Sequence, residues 1–446
     1  MRNGWNGPPY LEAAEALAGG DAGSSPEAAQ FLASLGYARD QLSPAEIDNR
    51  AGLLRFAARM GTLLPYRGPD APGLLFFLGM FDARAIDGRD GEAAPVSTIG
   101  AALEPGRAFE ASVGEAVEYA SQLERGDEAL ARPDPAMLEG FTPAERSALA
   151  ASLCLDDASS LATLPWLPAR RLGDGAATIL PADLCLRRPS SPDAARAAAP
   201  LSIGCAAAPT LEEAVLRGLL ELVERDAAAL WWHGGQPAAV LPLDGIASLQ
   251  ASELLREIRR GSDRRATWLL DVTTEIGIPC VAALSVNRDG RRIACGLAAA
   301  LSPDRAAGSA IREMCQYELG YHLIDVKRHA NPDHELSEQE IEQLRRGAEI
   351  LPDTQPLLHS ALGPRRHPAT DELDPAEAVD WVVSRLQAAG FQARFADLTR
   401  AEFGIPVAKV VVPGLQLDPS DAITPRLRAA MRRSGVAEGV PRLSLH

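Results

Sequence analysis

Residues 201–232 read LSIGCAAAPTLEEAVLRGLLELVERDAAALWW, and this stretch decides how the rest of the chain is interpreted. A run of small and apolar residues ends at Pro209, and Thr210 can cap a following helix because its hydroxyl accepts a free N–H of the first turn. At about 100° per residue, four charged residues share one stripe of an otherwise apolar helix. They are Glu213, Arg217, Glu221 and Glu224. The pattern predicts a largely buried helix with its charges turned toward the protein interior.

Buried carboxylates need a counter-charge, because an unpaired buried ion costs several kcal/mol. Divalent metal ions on a polyphosphate would supply it, since carboxylate oxygens are their preferred ligands. The alternative is a solvated charged stripe on a half-exposed helix. This helix alone leaves both interpretations open.

The same strand-and-helix unit occurs three times. Its strand segments are STIGAA (97–102), SIGCAA (202–207) and CGLAAA (295–300). The helices that follow carry the pairs Glu115 with Glu118, Glu221 with Glu224, and Glu313 with Gln316. The first glutamate follows the glycine by 15, 17 and 17 residues (100 to 115, 204 to 221, 296 to 313). Residues three apart share a helix face, so we expect the pairs to converge on one site. Tight strand–helix packing alone would explain the small residues but not the pairs.

Four motifs resemble those of the YcaO superfamily, whose members use ATP to activate a peptide backbone amide oxygen. They are GEAVEY (114–119), GLLELVERDA (218–227), AIREMCQ (310–316) and PVAKVVVPGL (406–415). The resemblance covers roughly residues 75 to 420. It implies an α+β fold of repeated strand–helix units, with β-sheets packed against helices and a small helical N-terminal appendage.

The resemblance also implies ATP and Mg²⁺ as cofactors and assigns roles to individual residues. The implied metal ligands are Glu115, Glu118, Glu213, Glu221 and Glu224. The implied nucleotide contacts are Glu213, Arg225, Glu313, Gln316 and Lys409. The catalytic candidates are Arg225 and His446, the latter through a terminal carboxylate that would act as a base within hydrogen-bond reach. No Walker or dinucleotide glycine loop occurs, so the ATP prediction depends on the resemblance.

Several positions depart from the family pattern, and these departures put details of nucleotide contact in question. Ala111 stands where many members have serine, and Ile203 and Pro209 stand where asparagine is usual. Tyr119 and Lys409 each replace an arginine. A lysine can still neutralise phosphate, but without the two-pronged contact of an arginine.

Composition narrows the classes of partner and the compartment. The net charge of −16 argues against nucleic acid and anionic membranes, and means that ATP needs a local cationic pocket or its own metal. Six cysteines without paired spacing indicate neither a zinc ribbon nor a disulfide framework. No hydrophobic signal segment opens the chain, and the longest apolar run, residues 73–81, is too short for a bilayer. We therefore expect a cytoplasmic protein.

The chain divides into residues 1–63, a helical region that is either a partner interface or part of the core, and residues 74–446, the YcaO-like catalytic domain. Periodicity predicts helices over residues 11–17, 26–35, 44–64 and 139–155. Residues 351–375 form a long proline-rich loop of a length uncommon unless mobile or functional. Trp231 and Trp232 are expected in the core.

The resemblance implies a cyclodehydratase that forms thiazoline or oxazoline rings in a ribosomally made precursor peptide. It further implies a ubiquitin-activating-like protein that binds the leader peptide, and a flavin-dependent dehydrogenase that completes azoles. A homodimer is compatible with the sequence, whereas nucleic acid and membrane partners are not expected. Thioamide or amidine formation by the same phosphorylation, and a non-catalytic scaffold subunit, are the alternatives.

Overall fold

Three separate antiparallel sheets carry the helices that form the site. The computed structural model describes residues 9–19, 25–87, 95–188, 194–243, 249–331, 335–367, 373–437 and 443–445. Within these ranges, no helix is both long and apolar enough to cross a membrane. The α+β fold class agrees with the prediction.

The described residues of the first part of the chain build five helices and a three-stranded sheet in the order β1-β2-β3. Its helices are α1 (Tyr10–Gly19), α2 (Pro26–Leu35), α3 (Pro44–Ala57), α4 (Ala83–Asp87) and α5 (Pro105–Ser121). Its strands are β1 (Thr62–Tyr66), β2 (Leu75–Asp82) and β3 (Pro95–Ala102). The prediction of helix to residue 64 is wrong, because the backbone after Ala57 leaves the helix to pair with β2.

The middle part contributes three strands of a second sheet. Its helices are α6 (Pro135–Glu139), α7 (Pro143–Ser152), α8 (Ala182–Cys185) and α9 (Leu211–Trp232). Its strands are β4 (Trp166–Arg171), β5 (Ala177–Pro181) and β6 (Cys205–Ala207). A helix was predicted over 139–155, and the observed α7 is shorter at both ends; it begins where Thr142 caps it and Pro143 occupies its first position.

The third part is a four-stranded sheet ordered β10-β9-β8-β7 with two helices. Its elements are β7 (Ala239–Leu241), α10 (Leu249–Arg259), β8 (Arg265–Asp271), β9 (Cys280–Asn287), β10 (Ala294–Ala299) and α11 (Pro303–Ala330). The remaining elements are α12 (Glu338–Glu349), α13 (Pro375–Ala388), β11 (Arg394–Asp397), β12 (Val407–Val411) and α14 (Pro425–Ser434). Strands β11 and β12 complete the second sheet, ordered β5-β4-β11-β12-β6.

The three repeated units occupy equivalent places in the three sheets. Strands β3, β6 and β10 each lie at an edge, and each leads into the helix that carries a polar pair, α5, α9 or α11. A Cβ atom on Gly100 would lie 2.0 Å from the Ala108 carbonyl oxygen, and one on Gly296 would lie 2.1 Å from the Ala310 carbonyl oxygen. Only glycine permits so close an approach of strand to helix.

The N-terminal helices share a hydrophobic cluster with β1–β3 and α5. Phe109 of α5 is fully buried and lies near the rings of Tyr10, Phe31 and Phe77. Burial of aromatic rings of this size contributes on the order of 2 kcal/mol each. Helices α1–α3 therefore cover a face of the first sheet and its helix.

The long loop after α12 is hydrogen-bonded to two tryptophans. The Trp231 indole donates to the Leu357 carbonyl at 2.9 Å, and the Trp268 indole donates to the Leu358 carbonyl at 2.8 Å. Trp231 and Trp232 are buried, as expected. Of the six cysteines, all free, five are buried and Cys154 is exposed.

Candidate active site

The first glutamate of each pair binds the backbone of its own edge strand. The bonds run from the Ile99 nitrogen to Glu115 Oε2 (3.0 Å), from Gly204 to Glu221 Oε2 (2.9 Å), and from Leu297 to Glu313 Oε2 (2.6 Å). An edge strand leaves N–H groups without a ladder partner, and a buried N–H needs an acceptor. The equivalent spacing is thus 16, 17 and 16 residues (99 to 115, 204 to 221, 297 to 313), so counting from the glycines misaligned the first unit against the third.

The second glutamate of two pairs reaches the next unit. Glu118 Oε1 accepts from the Ala207 nitrogen at 2.8 Å, and Glu224 accepts from the backbone of Ala299. Helix α5 is thereby joined to β6, and α9 to β10. Glu118, Glu224 and the three first glutamates form the carboxylate cluster; Glu221 acts electrostatically on the other four.

Arg225 is the cation within the cluster. Its Nε lies 3.3 Å from Glu224 Oε1, and its Nη2 lies 3.8 Å from Glu221 Oε1 and 4.0 Å from Glu313 Oε1. Burial alone would lower the pKa of Arg225, but the adjacent carboxylates raise it, so the guanidinium stays charged.

Five carboxylates face too little positive charge. Burial raises the pKa of Glu115 to about 7 and that of Glu118 to about 8, against the lowering effect of the backbone N–H bonds. Burial also raises the pKa values of Glu224 and Glu313, although Arg225 opposes the shift. A site that holds carboxylates near protonation at neutral pH is chemically suited to bind additional cations.

Mg²⁺ fits this set of donors when other oxygen ligands complete its coordination. No group of three described His, Cys, Asp or Glu residues surrounds a single metal position. Mg²⁺ commonly uses one or two carboxylates together with water and substrate phosphate oxygens. The cluster is therefore suited to hold magnesium that arrives with a polyphosphate.

A cleft of about 590 Å³ opens beside the cluster at Glu118. Its lining residues include Arg217 and Arg312, which bind the Ala207 carbonyl (3.0 Å) and the Ser309 hydroxyl (3.1 Å). Neither arginine forms an ion pair with a carboxylate in the described parts of the chain. These two arginines supply positive charge to a cleft that also contains the carboxylates of Glu104, Glu110 and Glu118.

These two arginines were missed as site residues. Arg217 was already on the charged stripe of α9, and Arg312 directly precedes Glu313 in a quoted motif. Both arginines lie on the helices of the repeated units, and this position could have identified them from the sequence. Ala111 and Pro209, two departures from the family pattern, line the same cleft.

The other sequence-derived candidates lie in different surroundings. Glu213 is in the first turn of α9, where its N–H donates to Thr210 Oγ1 at 3.2 Å. Among the described residues, no hydrogen bond or ion pair joins the Glu213 carboxylate to the cluster. Gln316 is half-buried on α11, one turn after Glu313. His446 lies outside the described residues.

Lys409 of β12 directs its ammonium group at the backbone before β6. Its Nζ donates to the Leu201 carbonyl at 2.7 Å and to the Ile203 carbonyl at 2.5 Å, and the residue is 4% exposed. Burial lowers the pKa of Lys409. Its two hydrogen bonds hold the turn that presents the Gly204 N–H to Glu221.

A sequence model of one protein family matches residues 87–416, and its description is YcaO cyclodehydratase, ATP- and Mg²⁺-binding. This match confirms the family predicted from the motifs and the predicted cofactors, ATP and Mg²⁺. An uncharacterized protein from Methanothermobacter thermautotrophicus is 27% identical over 227 residues, which are 48% of this chain and 55% of that protein. The chain spans about half the length of this curated relative.

Solved structures share the fold. A heterocyclase in complex with substrate and cofactor superposes with a TM-score of 0.63 at 25% identity, covering 82% of this chain and 51% of that one. The heterocyclase TruD gives a TM-score of 0.57 at 26% identity, with coverages of 76% and 51%. The YcaO protein of Methanopyrus kandleri bound with AMPPCP and Mg²⁺ gives 0.57 at 20% identity, with coverages of 84% and 91%, and supports the fold alone.

Proposed function

The chain belongs to the YcaO family, and from that premise we propose that it is an ATP- and Mg²⁺-dependent peptide cyclodehydratase. The observation that carries the proposal is the carboxylate cluster around Arg225, which lies beside a cleft containing two arginines without carboxylate partners among the described residues. All of these residues fall within the matched region.

The proposed substrate is a ribosomally made peptide with Cys, Ser or Thr side chains. The side-chain sulfur or oxygen attacks the preceding backbone carbonyl carbon and loses its proton to a base. The carbonyl oxygen, now an oxyanion, takes the γ-phosphoryl group of ATP, and ADP is released. Loss of the amide proton and cleavage of the carbon–oxygen bond expel phosphate and leave the azoline ring. The products are the azoline peptide, ADP and phosphate.

The chain's own residues serve this reaction mainly through charge and position. Arg217 and Arg312 bind phosphate oxygens from the cleft, and Arg225 keeps Glu221, Glu224 and Glu313 in place. The cluster carboxylates would hold magnesium, which would supply neutralising charge for the phosphates. Glu213 as a further ligand, Gln316 and Lys409 as nucleotide contacts, and His446 as the base are proposals carried over from the family resemblance.

A mass measurement tests the proposed reaction. The purified chain, its leader-binding partner and the candidate precursor peptide are incubated with Mg²⁺ and ATP. We expect each modified site to lose the mass of one water, in step with phosphate release. Replacement of oxygen by sulfur, with a sulfur source present, would instead identify thioamide formation. ATP-independent modification, or none by the complete set of partners, would contradict the proposal.

The partner proposals rest on the sequence resemblance. The Escherichia coli microcin synthetase McbBCD complex includes a chain with a TM-score of 0.56 to this one at 16% identity, which supports the fold alone. We propose a ubiquitin-activating-like protein as the leader-binding partner and a flavin-dependent dehydrogenase as the enzyme that oxidises azolines. Co-purification of the chain with each neighbouring gene product tests these two assignments.

A further inference from the structure

Helix α3 forms one wall of the cleft, although it lies outside the region that matches the family. Asn49 and Leu53, one helical turn apart, line the cleft from this side, whereas the family match begins at residue 87. The N-terminal region therefore contributes directly to the candidate nucleotide site, in addition to covering the first sheet.

This wall is held firmly against the rest of the protein. The Arg50 guanidinium donates from Nε to Glu110 of α5 at 2.7 Å and lies 4.7 Å from the centre of the Tyr37 ring. Across the helix, a Cβ on Gly52 would come within 2.9 Å of the Phe403 carbonyl oxygen. Because α3 is fixed on both sides, Asn49 has a defined position at the cleft.

Asn49 is a buried polar side chain without a hydrogen-bond partner among the described residues. It is 7% exposed, and none of the described groups forms a hydrogen bond with its carboxamide. Its amide nitrogen and oxygen are not fully enclosed, so they keep contact with the solvent of the cleft. Carboxamides of residues this buried are normally hydrogen-bonded. A side chain with this burial, aimed into a cleft, is suited to bind a ligand that enters the cleft.

The charges divide the cleft into two ends. Glu118 and Arg217, which both bind the backbone of Ala207, mark one end. Glu110, the partner of Arg50, marks the other, two turns earlier on α5 and so about 12 Å away. Asn49 is adjacent to Arg50 and therefore lies near the Glu110 end. At the Glu110 end the carboxylate is paired with Arg50 and Arg107. Phosphates therefore belong at the Glu118 end, beside the carboxylate cluster, which leaves the end near Asn49 for the nucleoside.

Asn49 carries the one neutral polar side chain among the described residues that line the cleft. Ala111 and Pro209, also in the lining, have no side-chain donor or acceptor, and Arg107 and Glu110 bind each other at 2.9 Å. A carboxamide offers two donors and one acceptor, which matches the edge of a nucleobase or the hydroxyls of a ribose.

We propose that Asn49 binds the nucleoside half of ATP and determines which nucleotide the cleft accepts. The inference rests on the proposed function, since it takes the cleft to be the ATP site. It adds to that function a specificity residue supplied by the N-terminal helices.

Titration calorimetry with Asn49→Ala tests the inference. We expect binding of ATP with Mg²⁺ to weaken about fivefold to tenfold, the effect of one lost hydrogen bond between neutral groups. Binding of inorganic triphosphate with Mg²⁺ should be unchanged, because it lacks the nucleoside. If Asn49 contacts the base, the variant should prefer ATP over GTP less strongly than the wild type does. If Asn49 contacts the ribose, the variant should prefer ATP over 2′-deoxy-ATP less strongly.

Two further variants separate recognition from folding. Asp48→Ala, at the exposed neighbouring position of α3, should bind ATP like the wild type. Asn49→Gln keeps the carboxamide and should retain part of the affinity if Asn49→Ala proves unstable. Alanine favours the helix more than asparagine does, so α3 itself is not weakened.

Unchanged ATP affinity in Asn49→Ala would overturn the inference and leave the proposed function intact. Equal losses for ATP and inorganic triphosphate would also overturn it, since they would indicate a structural role. A wild-type protein that binds neither ligand would overturn the proposed function, and the inference with it.

Discussion

At the scale of single residues, Glu221 has two roles in the cluster. One oxygen accepts the Gly204 N–H, and the carboxylate adds negative charge near four other glutamates. Glutamine retains an acceptor for the N–H but removes the charge. The residue therefore allows the structural role to be separated from the electrostatic one.

We predict that Glu221→Gln and Glu224→Gln each lower ATP-dependent turnover by at least ~10², since each removes charge that holds the metal. The melting temperature should not fall, because a repulsive charge is lost. Glu212→Gln, at an exposed position of the same helix, should keep full turnover. Near-normal turnover in either cluster variant would show that the metal assignment is wrong.

The raised pKa of Glu118 predicts how stability depends on pH without metal. Its pKa is about 8 in the folded protein against an ordinary value of 4.5, so the folded state holds a proton that the unfolded chain releases. The stabilising contribution is complete below pH 4.5 and is lost as the pH rises through about 8.

In metal-free buffer, wild-type protein should therefore lose stability relative to Glu118→Gln between these pH values, as followed by thermal melting. Mg²⁺ with ATP should restore stability most at the high-pH end, where the carboxylates are free to bind it. A difference between the two proteins that does not vary with pH would mean that Glu118 is ionised throughout.

At the scale of elements, α1–α3 were predicted as helices, but their packing could not be predicted from their sequence. Local spacing and caps identify a helix, whereas the contact of Phe109 with Tyr10 and Phe31 depends on the tertiary fold. Helix α12 was missed because few of its residues are apolar, although the capping box of Ser337 with Glu340 was a readable start signal.

We expect deletion of residues 1–61 to give insoluble or molten protein, because it uncovers the hydrophobic cluster around α5 and β1–β3. Circular dichroism and size-exclusion chromatography of the truncated chain will show this. A soluble truncation that binds ATP normally and fails only to bind its partner would support the interface interpretation of this region and would also contradict the role proposed for Asn49.

The strand-and-helix repeat shows how far the sequence predicts the site. The glutamate pairs were found because their spacing is local, and the structure brings them together at three sheet edges. The position of the Lys409 ammonium group could not be predicted from local spacing. It depends on the pairing of β12 with β6, which places its ammonium at the Leu201 and Ile203 carbonyls.

At the scale of the whole molecule, the net charge of −16 disfavours the binding of ATP, whereas the arginines of the cleft favour it. An acidic protein repels a polyanion over its surface, so binding must depend on local charge and on the accompanying metal. ATP affinity should therefore vanish when EDTA removes Mg²⁺. Inorganic triphosphate should behave likewise, since the metal contacts phosphate oxygens.

Titration of ATP into the wild-type chain and into Glu221→Gln, each with and without Mg²⁺, measures whether the carboxylate cluster and its cleft form an ATP site. We predict saturable binding by the wild type that requires Mg²⁺ and is weakened in the variant. Absence of binding with Mg²⁺ present, or binding of equal strength in the variant, would contradict the assignment of the carboxylate cluster and its cleft as an ATP site.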